Sequence, residues 1–445
     1  MRRAAFAALL VMGLGLMGCG AATFTNDGGI ATRSAASAPD GATLVQPTLG
    51  APPVLQGLHP SSGLLRVPAG AAVPDGETQR VVAVPNPPTD GPLAASAGPP
   101  PPGVAGRADT EQVAAAAAPV NIYSHTMTTE LSPAVAGVPL RLYVPNSDAG
   151  TVSVVDPVTF KVLDRLTVGV RPHHVTPSWD LTKLYVNNTE SNSLTVIDPR
   201  TSKVTNTIPI TDPYNLYFTP DGTKAIVVAE RFQRLDFYDS NSWTFLKSVS
   251  IPWSGVDHAD FSADGRYFLA STEFSGEVVK VDTETMTYVS KAEVGGLPID
   301  VKLSPDGKVL YVANQGRNGV SLVDPDTMTE IGFLKTGTGA HGLEVSRDTS
   351  SLYVSNRMEG TISIIDFATR TVKDTWKVGG SPDMIQVTAD GSQLWVANRF
   401  QGSTSMIDAH TGAVVATVPT GAGAHGIALF PQPGRYNVGH NGVYR

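Results

Sequence analysis

Cysteine is almost absent. The chain of 445 residues has one, Cys19, so no disulfide can form within it and a packed core must supply its stability. Charge is also sparse, at 16% of residues, and the formal net value of −8 is spread along the chain without a basic stripe. Nucleic acid is therefore not an expected partner. The uncharged apolar run at residues 4–17 falls short of the ~20 residues that an ordinary membrane-spanning helix needs. Three catalytic patterns are missing as well: the G-x-S-x-G elbow, the phosphate loop and H-E-x-x-H. An enzyme of those classes is not expected.

What is there begins with the leader. Arg2 and Arg3 precede the apolar run, and Leu16-Met17-Gly18-Cys19 follows it. Positive start, apolar middle and small residue before the cut make residues 1–19 a signal peptide. The Leu-x-Gly-Cys ending resembles a bacterial lipobox, with Met17 a less usual residue at its place. The resemblance implies that Cys19 is lipidated and becomes the new N-terminus. Gly20, where an Asp would favour the inner membrane, implies the outer one. The expected location is the cell envelope, lipid-anchored, in the outer membrane and periplasm or on the cell surface. A plain secretory cut nearby is the alternative.

Residues 20–125 read as a stalk. PNPPTDGPLAASAGPPPPG (85–103) and the alanine run 114–118 are low-complexity, and the first lysine of the chain is Lys161. Such composition buries too little apolar surface to offset its ordering entropy, so a disordered tether is expected.

From Val138 onward the sequence repeats. Leu142, Leu184, Ile226, Phe268, Leu310, Leu352 and Leu394 are each 42 residues apart. They are followed by YVPN, YVNN, VVAE, LAST, YVAN, YVSN and WVAN, and then by apolar runs closed by Asp156, Asp198, Asp239, Asp282, Asp324, Asp366 and Asp408. Turn signals TPDG (219–222), SADG (262–265), SPDG (304–307) and TADG (388–391) separate the units. Short apolar runs between Gly/Pro/Asp turns are strands, and four strands in about 40 residues, repeated, make a β-propeller. The fold class is all-β, a seven-bladed propeller over residues 126–430. Its first unit lacks an inner strand, and HGIALF (425–430) is an inner strand without a blade, so the two ends complete one blade between them. The YVxN, VSVVD, SPDG and GAHG elements resemble the YVTN-repeat β-propellers, from about Val138 to Phe430. That resemblance implies an exported propeller and assigns no activity.

Strand parity places two rings of residues at one channel mouth. The first holds His173, Tyr214, Asp257, Ile299, His341, Asp383 and His425; the second holds His174, Asn215, His258, Asp300, Gly342, Met384 and Gly426. Five of the nine histidines fall there. His173, His341 and His425, with Asp383, lie on four consecutive blades of a cyclic array. Imidazole and carboxylate suit a divalent transition metal such as zinc or copper. The competing reading is that P-H-H and A-H-G are ordinary turns of the family facing a water-filled funnel.

His174, His258, Arg357, Arg399, Glu230 and Glu273 complete a candidate ligand site at the same mouth. Arg357 and Arg399 could hold a carboxylate or phosphate, or be solvated surface arginines. The tail, residues 431–445, leaves at the opposite face. It either plugs the lower opening, anchored by Tyr436 and Tyr444, or frays.

Two functions follow. One is a binding or scaffold lipoprotein that contacts a protein or small molecule through the top face. The other is a metal protein with redox or hydrolytic chemistry, for instance lactonase-like. Anchoring gives a first prediction. Cys19→Ala releases the protein from the membrane fraction or leaves its signal uncut; a mature-length mutant that still sediments with membranes refutes the lipid anchor.

Overall fold

The computed structural model describes residues 121–445. The leader, Cys19 and nearly all of the expected stalk lie outside the described residues. Seven four-stranded antiparallel sheets form the body, each an up-and-down blade. Six blades are continuous in sequence, their inner strands being Pro172–Pro177, Asn215–Phe218, Val256–Phe261, Pro298–Leu303, Ala340–Val345 and Pro382–Val387. The seventh joins the two ends of the repeat: Ala428–Phe430 pairs with Arg141–Asn146, with Arg141 opposite Phe430, Leu142 opposite Leu429 and Tyr143 opposite Ala428. The seven-bladed fold and its shared closing blade are as the repeat predicts.

The repeat's polar residues set the turns. Each aspartate that ends a third strand accepts backbone N–H groups from the turn it opens; Asp156 Oδ1, for example, takes Val158 N at 2.9 Å and Thr159 N at 3.2 Å. The residue closing that turn is left-handed in every blade, from Phe160 at φ 57° to Gly412 at φ 73°. Only the last is glycine, so the aspartate bonds hold six other side chains in a conformation L residues disfavour. The YVxN asparagines tie the blades to the loops between them. Asn188 Oδ1 accepts from Gly169 N, Asn314 Oδ1 from Leu297 N and Asn356 Oδ1 from Gly337 N.

Burial grades outward. The inner strand Pro172–Pro177 is buried at every residue, whereas the outer strand Lys161–Thr167 alternates. The core consists of apolar layers between neighbouring blades. Tyr143 and Phe430 of the closing blade pack with Val175, Leu184 and Val186 of the next.

The lower channel opening is filled from both ends of the body. Tyr123, placed with the stalk by composition, is buried, and its hydroxyl donates to Leu303 O at 2.9 Å. Arg445 lies 4.3 Å from the Tyr123 ring centre and donates to Asp260 Oδ1 at 2.6 Å. Between these, the tail enters the channel rather than fraying. Asn437 Nδ2 donates to Pro177 O at 2.6 Å, Phe218 N to Val438 O at 2.9 Å and His440 N to Leu216 O at 2.8 Å. Tyr444 is buried, and Tyr436 stacks on Trp179 at 5.5 Å.

Ring closure therefore rests on a short strand with a fully buried aromatic. Phe430→Ala is expected to cost about 3–5 kcal/mol in chemical unfolding. Deleting residues 425–445 removes the closing strand altogether and should abolish a single sharp melt; a truncated protein that melts as cooperatively as its parent refutes the closure.

Candidate metal centre

Five of the seven inner strands carry a bulge at their top ends. Pairing with the second strand skips from Pro172 to Val175, from Val256 to Ala259, from Ala340 to Leu343 and from Pro382 to Ile385. A bulge frees the residues it skips from strict alternation and re-aims their side chains. The skipped residues belong to the two sequence-derived rings, among them His173, His174, Asp257, His258, His341 and Asp383, whereas Asn215 pairs directly with Val228. Both rings consequently deliver side chains to one place. The His173 and His174 ring centres, from adjacent residues, lie 4.8 Å apart.

Candidate ligand atoms within 4.8 Å of one another form three groups among the described residues: His173, His174 and His425; His174, His258 and His440; and His341, Asp383 and His425. All of these side chains are buried. The expected set of His173, His341, His425 and Asp383 is thus brought together, but not as one group. His425 belongs to two, with its ring 4.0 Å from that of His173 and its Nε2 3.4 Å from Asp383 Oδ1. His173 and His341 share no group. The funnel reading fails at this level, because the rings pack on one another. His174 and His258, expected as ligand-site residues, are full members of the cluster.

Hydrogen bonding fixes much of the tautomer pattern. His425 Nδ1 faces His173 O at 3.3 Å, and His174 Nδ1 faces Asn441 Oδ1 at 2.7 Å. A carbonyl oxygen only accepts, so each Nδ1 carries the proton. His258 Nδ1 is 2.6 Å from Asp257 Oδ1, too bent for a full hydrogen bond but too close for two lone pairs to face each other. The lone pairs of these three rings are therefore on Nε2. His174 Nε2, His258 Nε2 and both His173 nitrogens are buried without a hydrogen-bond partner.

Charge is balanced at close quarters. Burial, reinforced by neighbouring imidazoles and arginines, pushes His173, His174, His425 and His440 well below the ordinary histidine value. Burial and then Arg357 lower His341 to about 4. Burial opposes protonation of His258 too, but Asp257 outweighs it and the net shift is upward. For Asp383 burial acts upward, and His341 and Arg357 more than reverse it, holding the carboxylate ionised.

The two arginines are not surface groups. Arg357 and Arg399 are buried, and Arg357 spends its fork internally, donating to Asp383 Oδ2 at 3.1 Å and to Gln315 Oε1 at 2.6 Å. Glu230 and Glu273 are buried beside them, and burial, then Asp257 and Glu230, drive Glu273 far above the usual carboxylate range. Sequence reasoning missed His440. It sits in the tail, 4.4 Å ring to ring from His258 and 4.9 Å from His174.

The Arg357–Asp383 pair is inaccessible to water, so removing one partner strands a buried charge. Arg357→Ala should lower unfolding free energy by about 3–5 kcal/mol. Lys203→Ala, which breaks an exposed pair with Asp164, should cost only ~0–1 kcal/mol. Equal losses in the two variants would show that the Arg357 pair is not buried in solution.

Solved structures with this architecture are similar in fold. Hydrazine synthase of Kuenenia stuttgartiensis is 19% identical with a TM-score of 0.51, covering 57% of this chain and 87% of that one. A functionally unknown protein of Desulfotomaculum acetoxidans is 19% identical with a TM-score of 0.58, covering 65% and 98%. The dihydro-heme d1 dehydrogenase NirN is 16% identical with a TM-score of 0.53, covering 67% and 76%. At such identities the likeness is one of fold alone. No curated protein matches in sequence. The family pattern is decisive where single relatives are not: residues 110–434 match the YNCE-like β-propellers, and the chain belongs to that family.

Proposed function

We propose that the protein is an exported, lipid-anchored propeller that binds a divalent transition metal, zinc or copper, in the histidine cluster at the top of its channel. The observation that carries this reading is the set of buried imidazole nitrogens that keep a lone pair and have no hydrogen-bond partner. Leaving such atoms dry and unpaired is unfavourable. A metal ion satisfies them. Three further features fit the ion. Five of the six imidazoles, all but His258, are held neutral by burial, as ligation requires. Asn441, Asp257 and the His173 carbonyl orient rings through Nδ1, the usual outer-shell arrangement. Nitrogen and carboxylate donors without thiolate match zinc or copper(II). Such an ion would supply Lewis acidity or, as copper, one-electron chemistry.

A partner at the same face has its own support. Val170, Phe232 and Phe400, on loops around the mouth, are about half exposed or more. They form an apolar rim for a protein or small-molecule partner, which is the binding role without a metal.

Calorimetry with zinc and copper(II) on untagged protein separates the two. Wild type should bind, and the His341→Ala/His425→Ala double variant should bind at least tenfold more weakly. Equal affinities remove the metal and leave the rim. The pH response has a definite sign. Because burial lowers most of these histidines below their ordinary value, protons compete for them only in the acid range. Affinity should stay level from pH 8 through ~6.5, the ordinary histidine value, and weaken only well below it, toward the His341 value of about 4.

A further inference from the structure

We infer that the channel holds two metal ions, and that the second is held only when the C-terminal tail is docked. The inference rests on the metal-binding reading above and concerns how many ions there are and what completes their ligand sets.

The three ligand groups are not equivalent. His174, His258 and His440 share no member with His341, Asp383 and His425. The remaining group, His173 with His174 and His425, takes one residue from each and lies between them. Each imidazole has one lone pair to give. A four-coordinate ion therefore cannot use six histidines and a carboxylate. One ion placed in the Asp383 group leaves His174 Nε2 and His258 Nε2 orphaned; one placed in the His258 group leaves His341 and His425 facing Asp383 alone. Two ions satisfy both, with His173 available to either from the middle.

Charge supports the same count. Asp383 serves the first group directly. Beside the second stand Asp257, 2.6 Å from His258 Nδ1, and Asp300, 3.7 Å from His440 Nε2. Each cation thus has its own carboxylate neighbourhood.

The second group depends on the tail. His440 is its only member that the blades do not supply. The tail reaches it by passing very close to the inner strand at Gly439, where a Cβ would fall 2.5 Å from Tyr217 Cα and 2.6 Å from Leu216 O. No other residue fits at φ 128° there. The next residue but one, Asn441, holds His174 Nδ1 at 2.7 Å. The tail therefore brings one ligand and orients another. His440 Nδ1 lies 3.1 Å from the Asn215 amide. In the structure Asn215 Nδ2 is the atom that faces Nδ1, and its Oδ1 accepts from Leu216 N at 3.0 Å; binding through Nε2, which Asn441 Nδ2 meets at 3.5 Å, requires the Asn215 amide to turn over so that Nδ1 carries the proton.

The test loads untagged full-length protein with copper(II), removes the excess, and measures metal per chain together with the electron paramagnetic resonance spectrum. Wild type should hold two coppers per chain. Since the His174 and His425 ring centres are 4.9 Å apart, the two spins should couple, and the integrated signal should fall well below two per chain. His440→Gln keeps a polar side chain in the channel. It should lose one copper and show one isolated spin, with an unchanged melting curve in the metal-free state. Asp383→Asn/His341→Ala should lose the other. A single copper in wild type, unaffected by His440→Gln, overturns the two-ion inference while sparing the metal reading, as does any wild-type content above two. No copper in wild type overturns both.

Discussion

Three strand pairs, Arg141 with Phe430, Leu142 with Leu429 and Tyr143 with Ala428, and a further bridge, Asn146 with Ala424, hold the two ends of the repeat together. Without them the first blade has no inner strand and the array is an open arc with two sheet edges. Closure does more than cover those edges. It fixes the radius of the channel, and thereby the distance at which inner-strand side chains from different blades meet. His425 belongs to the closing inner segment, His173 to the next blade and Asp383 to the one before. The convergence of these three residues is a direct consequence of the seam.

Closure also explains the electrostatics. Side chains that point to a common axis exclude water from one another, and a buried imidazole near other imidazoles is poorly able to take a proton. The same crowding would be costly for acids, which is why Asp383 sits against Arg357 and His341. Neutral nitrogen donors beside fixed carboxylates make a cluster able to take up positive charge from an ion while resisting protons.

The repeat carried most of the fold in plain view. A 42-residue spacing of apolar residues, turn aspartates and YVxN asparagines fixes blade number, seam and the structural role of the polar residues, because each is a local rule used again and again. It also placed His173, His341, His425 and Asp383 on one mouth, since equivalent positions in a ring must share a height. Three things were not legible. Parity gives the height of a residue but not its reach, so the split of the expected ligand set around His425 needs coordinates. Arg357 and Arg399 read either as a pair that holds an anion or as solvated surface arginines; neither reading foresaw that both are buried and that Arg357 is bound to Asp383. His440 has no repeat partner, and parity sends the tail to the far face. Nothing in its spacing says that Gly439 lets the chain turn back up the channel. Tyr123 is a similar case, a lone aromatic at the edge of a low-complexity stretch that docks beside Arg445.

The long range of these contacts has a thermodynamic consequence. No two of the clustered histidines apart from His173 and His174 are neighbours in sequence, and His440 joins them across more than half of the folded body. An unfolded chain therefore offers an ion at best a pair of adjacent imidazoles, while the folded one offers whole sets. Binding to the native state alone adds stability as the logarithm of one plus the ratio of free ligand to Kd, ~2.7 kcal/mol at a hundredfold excess over Kd. Because the candidate ligands come from the seam, its neighbouring blades and the tail, such stabilisation would fall on the parts of the ring where the repeat begins and ends. An ion at His425 would tie the closing strand, and one at His440 the tail, to the blades that flank them.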